Sequence, residues 1–363
     1  MTAPAAEDAA DPLLVPTPGR VALTLGLGTL GGWAAVVLHL PLPWMIGAMT
    51  AVTVAAAAHL PVALAPRLRS VMVAVLGIML GSAFSPAMLA RMVDWWPSLS
   101  ALALYAAVAG GAGWLYFRKV WRYSPVTSYF AAMPGGLTVM ILVGTEMGGD
   151  PRVISLSQAS RLLLVVLALP FAFELLAGYQ PALRPPAGLP LVEIAASDLA
   201  VLSVCAVVGG LVAQALKLPA AALVGPMVLS AAVHLLGWTA AKPPLELVAA
   251  AQVVVGCALG ARFAGVTLRQ IRRSLFAASG ATALLLAATL AFALALAGLV
   301  GLPVYPLVLA FSPGGLAEMS LIALAIGADP AFVATHHIVR ICLVVMLAPL
   351  VFRLLARHGR RGA

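Results

Sequence analysis

Charged residues are scarce in this sequence: they make up 9% of its 363 residues, whereas soluble domains carry about 25%. Hydrophobic residues make up 63% of the chain, and a soluble chain of this composition would lack the polar surface needed to cover its core. Nearly all of residues 20–356 reads as apolar runs long enough to cross a hydrocarbon layer about 30 Å thick. The sequence therefore predicts an all-α polytopic membrane protein whose solvent is the lipid bilayer.

Long polar segments are also missing, which argues against a soluble DNA-binding module and predicts no nucleic-acid partner. The net charge of +9 arises mainly from short basic clusters between the apolar runs, a pattern typical of the cytoplasmic loops of membrane proteins. These clusters are Arg67/Arg69, Arg118/Lys119/Arg122, Arg269/Arg272/Arg273 and Arg353/Arg357/Arg360/Arg361.

Residues that bind metals or catalyse reactions are few and scattered. The cysteines Cys205, Cys257 and Cys342 lie inside apolar runs, where an isolated cysteine usually serves as a small packing residue. Of six histidines only His336 and His337 are neighbours, and adjacent helical residues point about 100° apart. No serine–histidine–acid spacing, phosphate-binding loop or paired carboxylates are apparent. We therefore predict no enzymatic activity, no metal and no cofactor.

An internal duplication is the strongest pattern in the sequence. At a shift of 179 residues, PGGLTVMILVGTEMGGDP (134–151) falls on PGGLAEMSLIALAIGADP (313–330), and residues 134–170 contain 14 identities in 37 positions. Low apolar complexity would match some Leu, Val or Gly residues, but it would not also align Pro-Gly-Gly, Asp-Pro and an arginine. The sequence thus predicts two homologous halves.

The duplication sets the predicted domain limits. We expect a disordered cytoplasmic tail over 1–19, a first membrane repeat over 20–180 and a connecting loop over 181–198. A second membrane repeat over 199–357 and a basic tail over 358–363 complete the chain.

The positive-inside rule allows a choice between two topologies. If Arg20 is cytoplasmic, all multi-arginine clusters fall on the cytoplasmic side only when residues 125–180 make an odd number of net crossings. Two full crossings in that region would instead place Arg269, Arg272 and Arg273 outside. The first topology implies inverted repeats, and it predicts a bacterial inner-membrane protein with both termini in the cytoplasm.

Each repeat contains a Pro-Gly-Gly element that interrupts an apolar run: Pro134, Gly135 and Gly136, then Pro313, Gly314 and Gly315. Proline removes a backbone donor, and glycine leaves the backbone exposed. Within a bilayer, a broken backbone is tolerated only in protein or at a wet cavity. We therefore interpret 127–149 and 306–327 as broken or re-entrant helices that meet near the centre, with a kinked full span as the alternative.

Two arginines, Arg161 and Arg340, lie about ten residues into their predicted helices, near mid-membrane depth, where a charge costs about 2.5–3.5 kcal/mol. Gln158 and His337 precede them by three residues and so share their helix faces. One interpretation is an anion or proton-linked site built from these four residues. The other is that each arginine caps broken-helix carbonyls and holds the repeats together, and both can hold at once.

Three carboxylates flank these elements. Glu318 lies three residues beyond the second Pro-Gly-Gly, so it is a candidate to bind a coupling cation or proton, or to cap the start of the following half-helix. Asp150 and Asp329 each precede a proline, and Asp-Pro is typical of a helix N-cap followed by a first-turn proline.

The segments LPLPWMIGAM, LPAAALVGPM, MPGGLTVM and SPGGLAEMSLIALAIGADPAFVATHHIVR resemble the bacterial AbrB-type membrane family. The resemblance covers residues 20–357 and implies a duplicated membrane domain. Members of that family are often labelled ammonia monooxygenases or regulators of gene expression, and their biochemical activity is poorly defined. Position 139 holds Val where its partner position holds Glu318, so an acidic role at Glu318 would not be two-fold symmetric.

Taken together, these features predict a secondary transporter of a small solute, with an anion as one candidate. We expect alternating access in which one repeat-derived bundle moves against the other. The alternative is a membrane sensor or regulator that affects gene expression indirectly and neither transports nor catalyses. The expected partners are the lipid bilayer and a solute of unknown identity, and the question of a homo-oligomer stays open.

Overall fold

The computed structural model describes residues 15–177 and 188–361, and all α-helices and 3₁₀ turns below lie in those ranges. Short 3₁₀ turns cover 93–95, 191–193 and 261–263. The α-helices are α1 (Pro18–Val37), α2 (Pro43–Ala57), α3 (Pro66–Gly81), α4 (Pro86–Met92), α5 (Trp96–Lys119), α6 (Pro125–Ala132), α7 (Leu137–Glu146), α8 (Pro151–Ala177), α9 (Ala196–Ala215), α10 (Ala221–Leu235), α11 (Leu245–Gly260), α12 (Leu268–Val300), α13 (Val304–Phe311), α14 (Leu316–Ile326) and α15 (Pro330–Arg361).

Seven helical segments within the described ranges are long and apolar enough to cross a membrane. They comprise α1, α8, α9, α12 and α15, the segment Met88–Lys119 that contains α5, and the segment Leu245–Phe263 that contains α11. Helices α2 and α10 are apolar but shorter, at 15 residues each. The prediction of an all-α polytopic membrane protein is confirmed.

Aspartate-proline pairs start the two helices that carry the intramembrane arginines. Oδ1 of Asp150 accepts hydrogen bonds from the N–H groups of Arg152 at 2.9 Å and Val153 at 3.2 Å. Asp329 binds the second and third N–H groups of α15 in the same way. Both aspartates therefore act as N-caps, which satisfy two donors that the first turn of a helix leaves unpaired.

The order of helices in residues 18–177 recurs in residues 196–361. Helices α1, α2, α3, α6, α7 and α8 correspond to α9, α10, α11, α13, α14 and α15, and the first residues of each pair differ by 178 or 179 positions. At a shift of 179, α12 falls on residues 89–121, which comprise the end of α4, the 3₁₀ turn over 93–95 and α5.

The corresponding helices α5 and α12 lie against each other in opposite directions. The hydroxyls of Tyr105 and Thr289 share a hydrogen bond of 3.0 Å. Further along α5, the hydroxyl of Tyr116 packs directly on Gly280. Residue numbers thus rise along one helix while they fall along the other, so the two helices are antiparallel.

Glycines allow the halves to exchange close backbone contacts. The face of Gly77 in α3 lies against the carbonyl oxygen of Leu223 in α10, and the face of Gly256 in α11 lies against that of Met45 in α2. Small residues at helix interfaces let backbones approach closely in a membrane, where van der Waals packing drives association. These two contacts are counterparts of each other across the halves.

The helices form two bundles, and each bundle takes helices from both halves. The scaffold bundle contains α1, α2, α3, α9, α10 and α11, and the hairpin bundle contains α5 to α8 and α12 to α15. Contacts are dense within each bundle and sparse between them. We expected each bundle to derive from one repeat, and that expectation was wrong, because α2 packs on α11 and α3 on α10 more extensively than on their own later helices.

The short helices form two hairpins, which we call hairpin 1 (α6 and α7) and hairpin 2 (α13 and α14). The N–H of Asp150 donates to Oγ1 of Thr127 at 3.0 Å, so the end of hairpin 1 lies beside its beginning. In hairpin 2, only three residues connect α14 to α15, and α15 runs alongside α13 from a common end. Both interrupted segments are therefore re-entrant, and the alternative of a kinked full span does not hold.

Helix limits differ from the predicted domain limits by a few residues. Helix α1 begins at Pro18, inside the predicted tail, because Thr17 caps it. Helix α9 begins at Ala196, inside the predicted loop, and α15 continues to Arg361. Three parts of these predicted segments lie outside the described residues: positions 1–14 of the tail, 181–187 of the connecting loop and 362–363 of the basic tail.

Candidate functional site

The Pro-Gly-Gly elements form the tips of the two hairpins. Helix α6 ends at Ala132 and α7 begins at Leu137, and Pro134, Gly135 and Gly136 occupy the break between them. Hairpin 2 breaks in the same way between α13 and α14, at the residues Pro313, Gly314 and Gly315. Each break leaves carbonyl oxygens at the end of one helix and N–H groups at the start of the next without intrahelical partners.

Helix α8 supplies donors to the carbonyls of hairpin 1. Nε2 of Gln158 donates to the oxygens of Phe130 at 2.8 Å and Met133 at 3.1 Å. Nη1 of Arg161 donates to the oxygens of Ala132 at 3.4 Å and Met133 at 3.1 Å. The guanidinium is itself oriented by Gln158, whose Oε1 accepts from Nη2 at 2.6 Å.

Helix α15 supplies equivalent donors to hairpin 2. Nη1 of Arg340 donates to the oxygen of Phe311 at 3.2 Å and to that of Ser312, and Nη2 donates to the oxygen of Gly314 at 3.1 Å. Arg161 and Arg340 both lie ten residues after the first residue of their helices, which is about 15 Å along the axis. The hairpin tips therefore lie about three turns into α8 and α15.

His337 in α15 has the same position relative to hairpin 2 as Gln158 in α8 has relative to hairpin 1. Its Nδ1 lies 3.1 Å from Nη2 of Arg340, and its Nε2 lies 3.0 Å from the oxygen of Leu309. Arginine has no acceptor, so Nδ1 must accept and Nε2–H must donate to Leu309. The contacts thus define a neutral histidine with its proton on Nε2, which orients Arg340.

These contacts bear directly on the two interpretations of the arginines. Both guanidinium groups cap broken-helix carbonyls, as the bracing interpretation requires. Each also retains a donor, because Nε of Arg161 and Nε of Arg340 have no hydrogen-bond partner among the described residues. The side chains are 5% and 2% exposed, and leaving a buried donor unpaired costs free energy. The brace therefore leaves one buried donor on each arginine without a partner among the described residues.

A cavity of about 350 Å³ separates the hairpin tips from the scaffold bundle. This size lies at the small end of the range for ligand pockets, about 300–1,000 Å³. The glycines of both tips line it, as do the starts of α7, α10 and α14. Its charged wall residues are Arg69, Arg161, Arg262, Arg340 and Glu318. Four cations against one anion make the cavity attractive to anions.

The cavity brings together some of the predicted site residues and leaves others behind them. Seven of the eleven line it, namely Gly135, Gly136, Arg161, Gly314, Gly315, Glu318 and Arg340. Gln158 and His337 are completely buried behind the arginines and act on the cavity only through them. The prolines Pro134 and Pro313 are buried within the tips.

Two further arginines of the cavity were not among the predicted site residues. Arg69 belongs to a cluster interpreted as a loop, yet it lies in the first turn of α3 and faces the cavity. Arg262 lies in the 3₁₀ turn after α11, and its buried Nε has no partner among the described residues. The available signal for Arg262 was a single charge at the end of an apolar run, which does not indicate where the side chain points.

Glu318 is 6% exposed and lies in the first turn of α14. Its side chain folds back over Gly315, so that a Cβ built on Gly315 would collide with the carboxylate. A carboxylate near a helix N-terminus is stabilised by the helix dipole. Glu318 thus lies at the start of the half-helix, where both interpretations place it.

His336 does not share a site with His337. Its Nδ1 lies 2.8 Å from the oxygen of Phe332 and its Nε2 lies 2.8 Å from Oγ of Ser98. Among the residues that the structure describes, no group of three or more His, Cys, Asp or Glu side chains could hold a metal ion.

Comparisons with known proteins agree with the membrane architecture. The family model described as "Transition state regulatory protein AbrB" matches residues 44–356. The chain is 32% identical over 313 residues to "Uncharacterized protein YhjN" of Bacillus subtilis (strain 168), covering 79% of this chain and 78% of the relative. It is 25% identical over 352 residues to "Putative regulator AbrB" of Escherichia coli (strain K12), covering 93% and 95% of the two chains.

Proposed function

The chain belongs to the AbrB family of membrane proteins, and from this premise we propose that it is a secondary transporter of a small anionic solute. The observation that carries the proposal is the cavity at the hairpin tips, in which four arginines and one glutamate line about 350 Å³ at the boundary between the bundles. Buried charges within a membrane are expensive, and they usually mark the path of a substrate or ion.

The arrangement of the bundles supports alternating access. Substrate sites of many secondary transporters lie near the midplane, between interrupted helices from the two repeats. Here the interrupted helices belong to the hairpin bundle, and the opposite wall of the cavity belongs to the scaffold bundle. Because fewer backbone contacts join the bundles than hold each bundle together, we expect the hairpin bundle to move as a rigid body and to carry the arginines with it.

The proposal includes inverted repeats in a bacterial inner membrane with both termini in the cytoplasm. Each half then makes five crossings and one re-entrant hairpin. Hairpin 1 enters from the cytoplasmic side and hairpin 2 from the opposite side, so the tips meet at the centre. The cavity reaches Arg69 at the start of α3, which this topology assigns to the cytoplasm, so in this proposal the cavity opens inwards.

The test is uptake by the purified full-length chain in proteoliposomes, with small organic anions, amino acids and ammonium as probes. We expect saturable uptake of an organic anion that Arg161→Ala and Arg340→Ala abolish, with protein-free liposomes as the blank. Uptake of ammonium or of neutral amino acids alone would reject the anion proposal.

A second candidate function rests on the name of the Escherichia coli relative, which is called a regulator. In this alternative the protein senses a solute at the same cavity and affects gene expression indirectly, without transport. Saturable binding of a probe to the purified protein, together with no uptake and no counterflow in proteoliposomes, would favour the sensor over the transporter.

A further inference from the structure

The two hairpin tips differ at one position of the cavity wall, where one has a carboxylate and the other an apolar side chain. Glu318 in hairpin 2 corresponds to Val139 in hairpin 1, and both line the same cavity. The carboxylate of Glu318 lies over Gly315, whereas the nearest described atoms to a Cβ built on Gly136 are Ile341 Cγ2 at 3.9 Å and Val139 Cγ2 at 4.0 Å. Hairpin 1 therefore has open cavity space where hairpin 2 holds its own carboxylate.

The open space at hairpin 1 faces donors that suit an anion. Helix α7 has ten residues, and its N-cap Gly136 offers no side-chain acceptor, so the first N–H groups of α7 lack an intrahelical partner. Such helix starts bind carboxylates and phosphates. Thr138 adds a hydroxyl on the cavity wall, at the position where hairpin 2 has Ala317.

Arg161 adds a cation to the wall of the same cavity. Arg161 is 5% exposed, lines the cavity, and has a buried Nε without a partner among the described residues. Its guanidinium binds the oxygen of Met133, three residues before Gly136. A cation, a free helix start and a hydroxyl thus surround one open volume.

We propose that the anionic group of the substrate is a carboxylate that binds at the first turn of α7, beside Gly136, Thr138 and Arg161. In hairpin 2 the carboxylate of Glu318 occupies the equivalent space. The group is assigned as a carboxylate because the equivalent space in hairpin 2 accommodates one. This inference rests on the proposed anion transport, and it adds the substrate class and the side of the cavity that selects it.

The key variant transfers the built-in carboxylate to the other hairpin. Val139→Glu should place an anion over Gly136, as Glu318 does over Gly315, and so compete with the substrate. Val139→Gln has the same length without the charge, and it serves as the matched control. The probes are lactate, succinate and inorganic phosphate, and their dissociation constants are measured by calorimetry on the full-length chain in detergent.

We expect the wild type to bind at least one of the two carboxylates. We expect Val139→Glu to weaken that binding at least tenfold more than Val139→Gln does, because both side chains fill the same space and only Glu adds a negative charge; tenfold corresponds to about 1.4 kcal/mol. Thr138→Ala should weaken binding about threefold or more, while Thr145→Ala, near the exposed end of the same helix, should not change it. The double variant Val139→Glu/Glu318→Val moves the carboxylate across the cavity, and it should regain binding relative to Val139→Glu.

The outcomes separate this inference from the function on which it rests. A folded Val139→Glu protein that binds and transports a carboxylate as the wild type does would overturn the site at α7 and leave the anion transporter standing. Phosphate binding without binding of either carboxylate would overturn the substrate class. No binding and no uptake of any probe by the wild type would overturn both proposals. If Val139→Glu does not fold, Thr138→Ala decides, and unchanged carboxylate binding in that variant overturns the site.

Discussion

The backbone N–H of Asp150 donates a 3.0 Å hydrogen bond to Oγ1 of Thr127. Thr127 lies in the first turn of α6 and Asp150 directly precedes α8, so the bond joins the beginning of hairpin 1 to its end. A full crossing would separate the two residues by about 30 Å. Residues 125–150 therefore make no net crossing, and α8 crosses alone after them.

This relationship leads to a topology prediction. In a background without Cys205, Cys257 and Cys342, cysteines at the exposed positions Val120 and Leu268 should react with an impermeant thiol reagent only from the cytoplasm. A cysteine at the exposed Val192 should react only from the periplasm, because α8 crosses the membrane between Val120 and Val192. The measurement is labelling of intact cells against inverted vesicles.

The opposite labelling pattern would contradict this topology. Labelling of Val192→Cys from the cytoplasm, or of Leu268→Cys from the periplasm, would reject the inverted arrangement. Total labelling in detergent controls for intrinsic reactivity at each site.

The intramembrane arginines should affect both stability and uptake. Arg161→Ala or Arg340→Ala leaves broken-helix carbonyls without their donors, and each unpaired buried group costs about 1–3 kcal/mol. We expect a lower Tm in detergent and loss of uptake for both variants. Arg67→Ala removes an exposed charge at the start of α3 and should leave both measurements unchanged. Wild-type uptake together with a wild-type Tm in Arg161→Ala would show that the arginine neither binds the solute nor braces the hairpin.

The glycines of the tips should respond differently to substitution. A Cβ at Gly136 meets no described atom closer than 3.9 Å, whereas a Cβ at Gly314 meets the side chain of Met319 at 2.6 Å. We therefore expect Gly136→Val to keep the wild-type Tm and lose uptake, because its methyl groups enter the cavity. Gly136→Cys should also react with a small hydrophilic reagent faster than Gly314→Cys. Equal rates together with normal uptake by Gly136→Val would argue against the cavity.

Glycine contacts between the scaffold helices should be essential for folding. A side chain at Gly77 would collide with the backbone carbonyl of Leu223, and backbone cannot move aside as a flexible side chain can. Overpacking of this kind costs about 1–3 kcal/mol or more, so Gly77→Val should give a low yield of monodisperse protein and a reduced Tm. Gly111→Val is the matched control, because nothing lies within 4 Å of a Cβ at that position. Similar yields and Tm values for the two variants would contradict the prediction.

Much of the architecture follows from local sequence properties. Long apolar runs predict spans because a bilayer cannot satisfy exposed polar backbone, and seven described segments have the required length and composition. Asp-Pro predicts a capped helix start, and both Asp150 and Asp329 cap their helices. Pro-Gly-Gly predicts a break, and the helices are interrupted at both elements. Each of these properties depends only on neighbouring residues and on the solvent.

The sequence by itself determined the membrane class, the duplication and the helix breaks, since local chemistry and spacing decide them. Only the tertiary structure decided that the hairpins are re-entrant, that each bundle mixes both halves, and that Arg69 and Arg262 line the cavity. It also decided that the arginines bind carbonyls and that Glu318 folds over Gly315 while Gly136 faces open space. These features depend on contacts between residues far apart in the chain, and an apolar helix carries no local signal that selects which of several apolar neighbours it packs against.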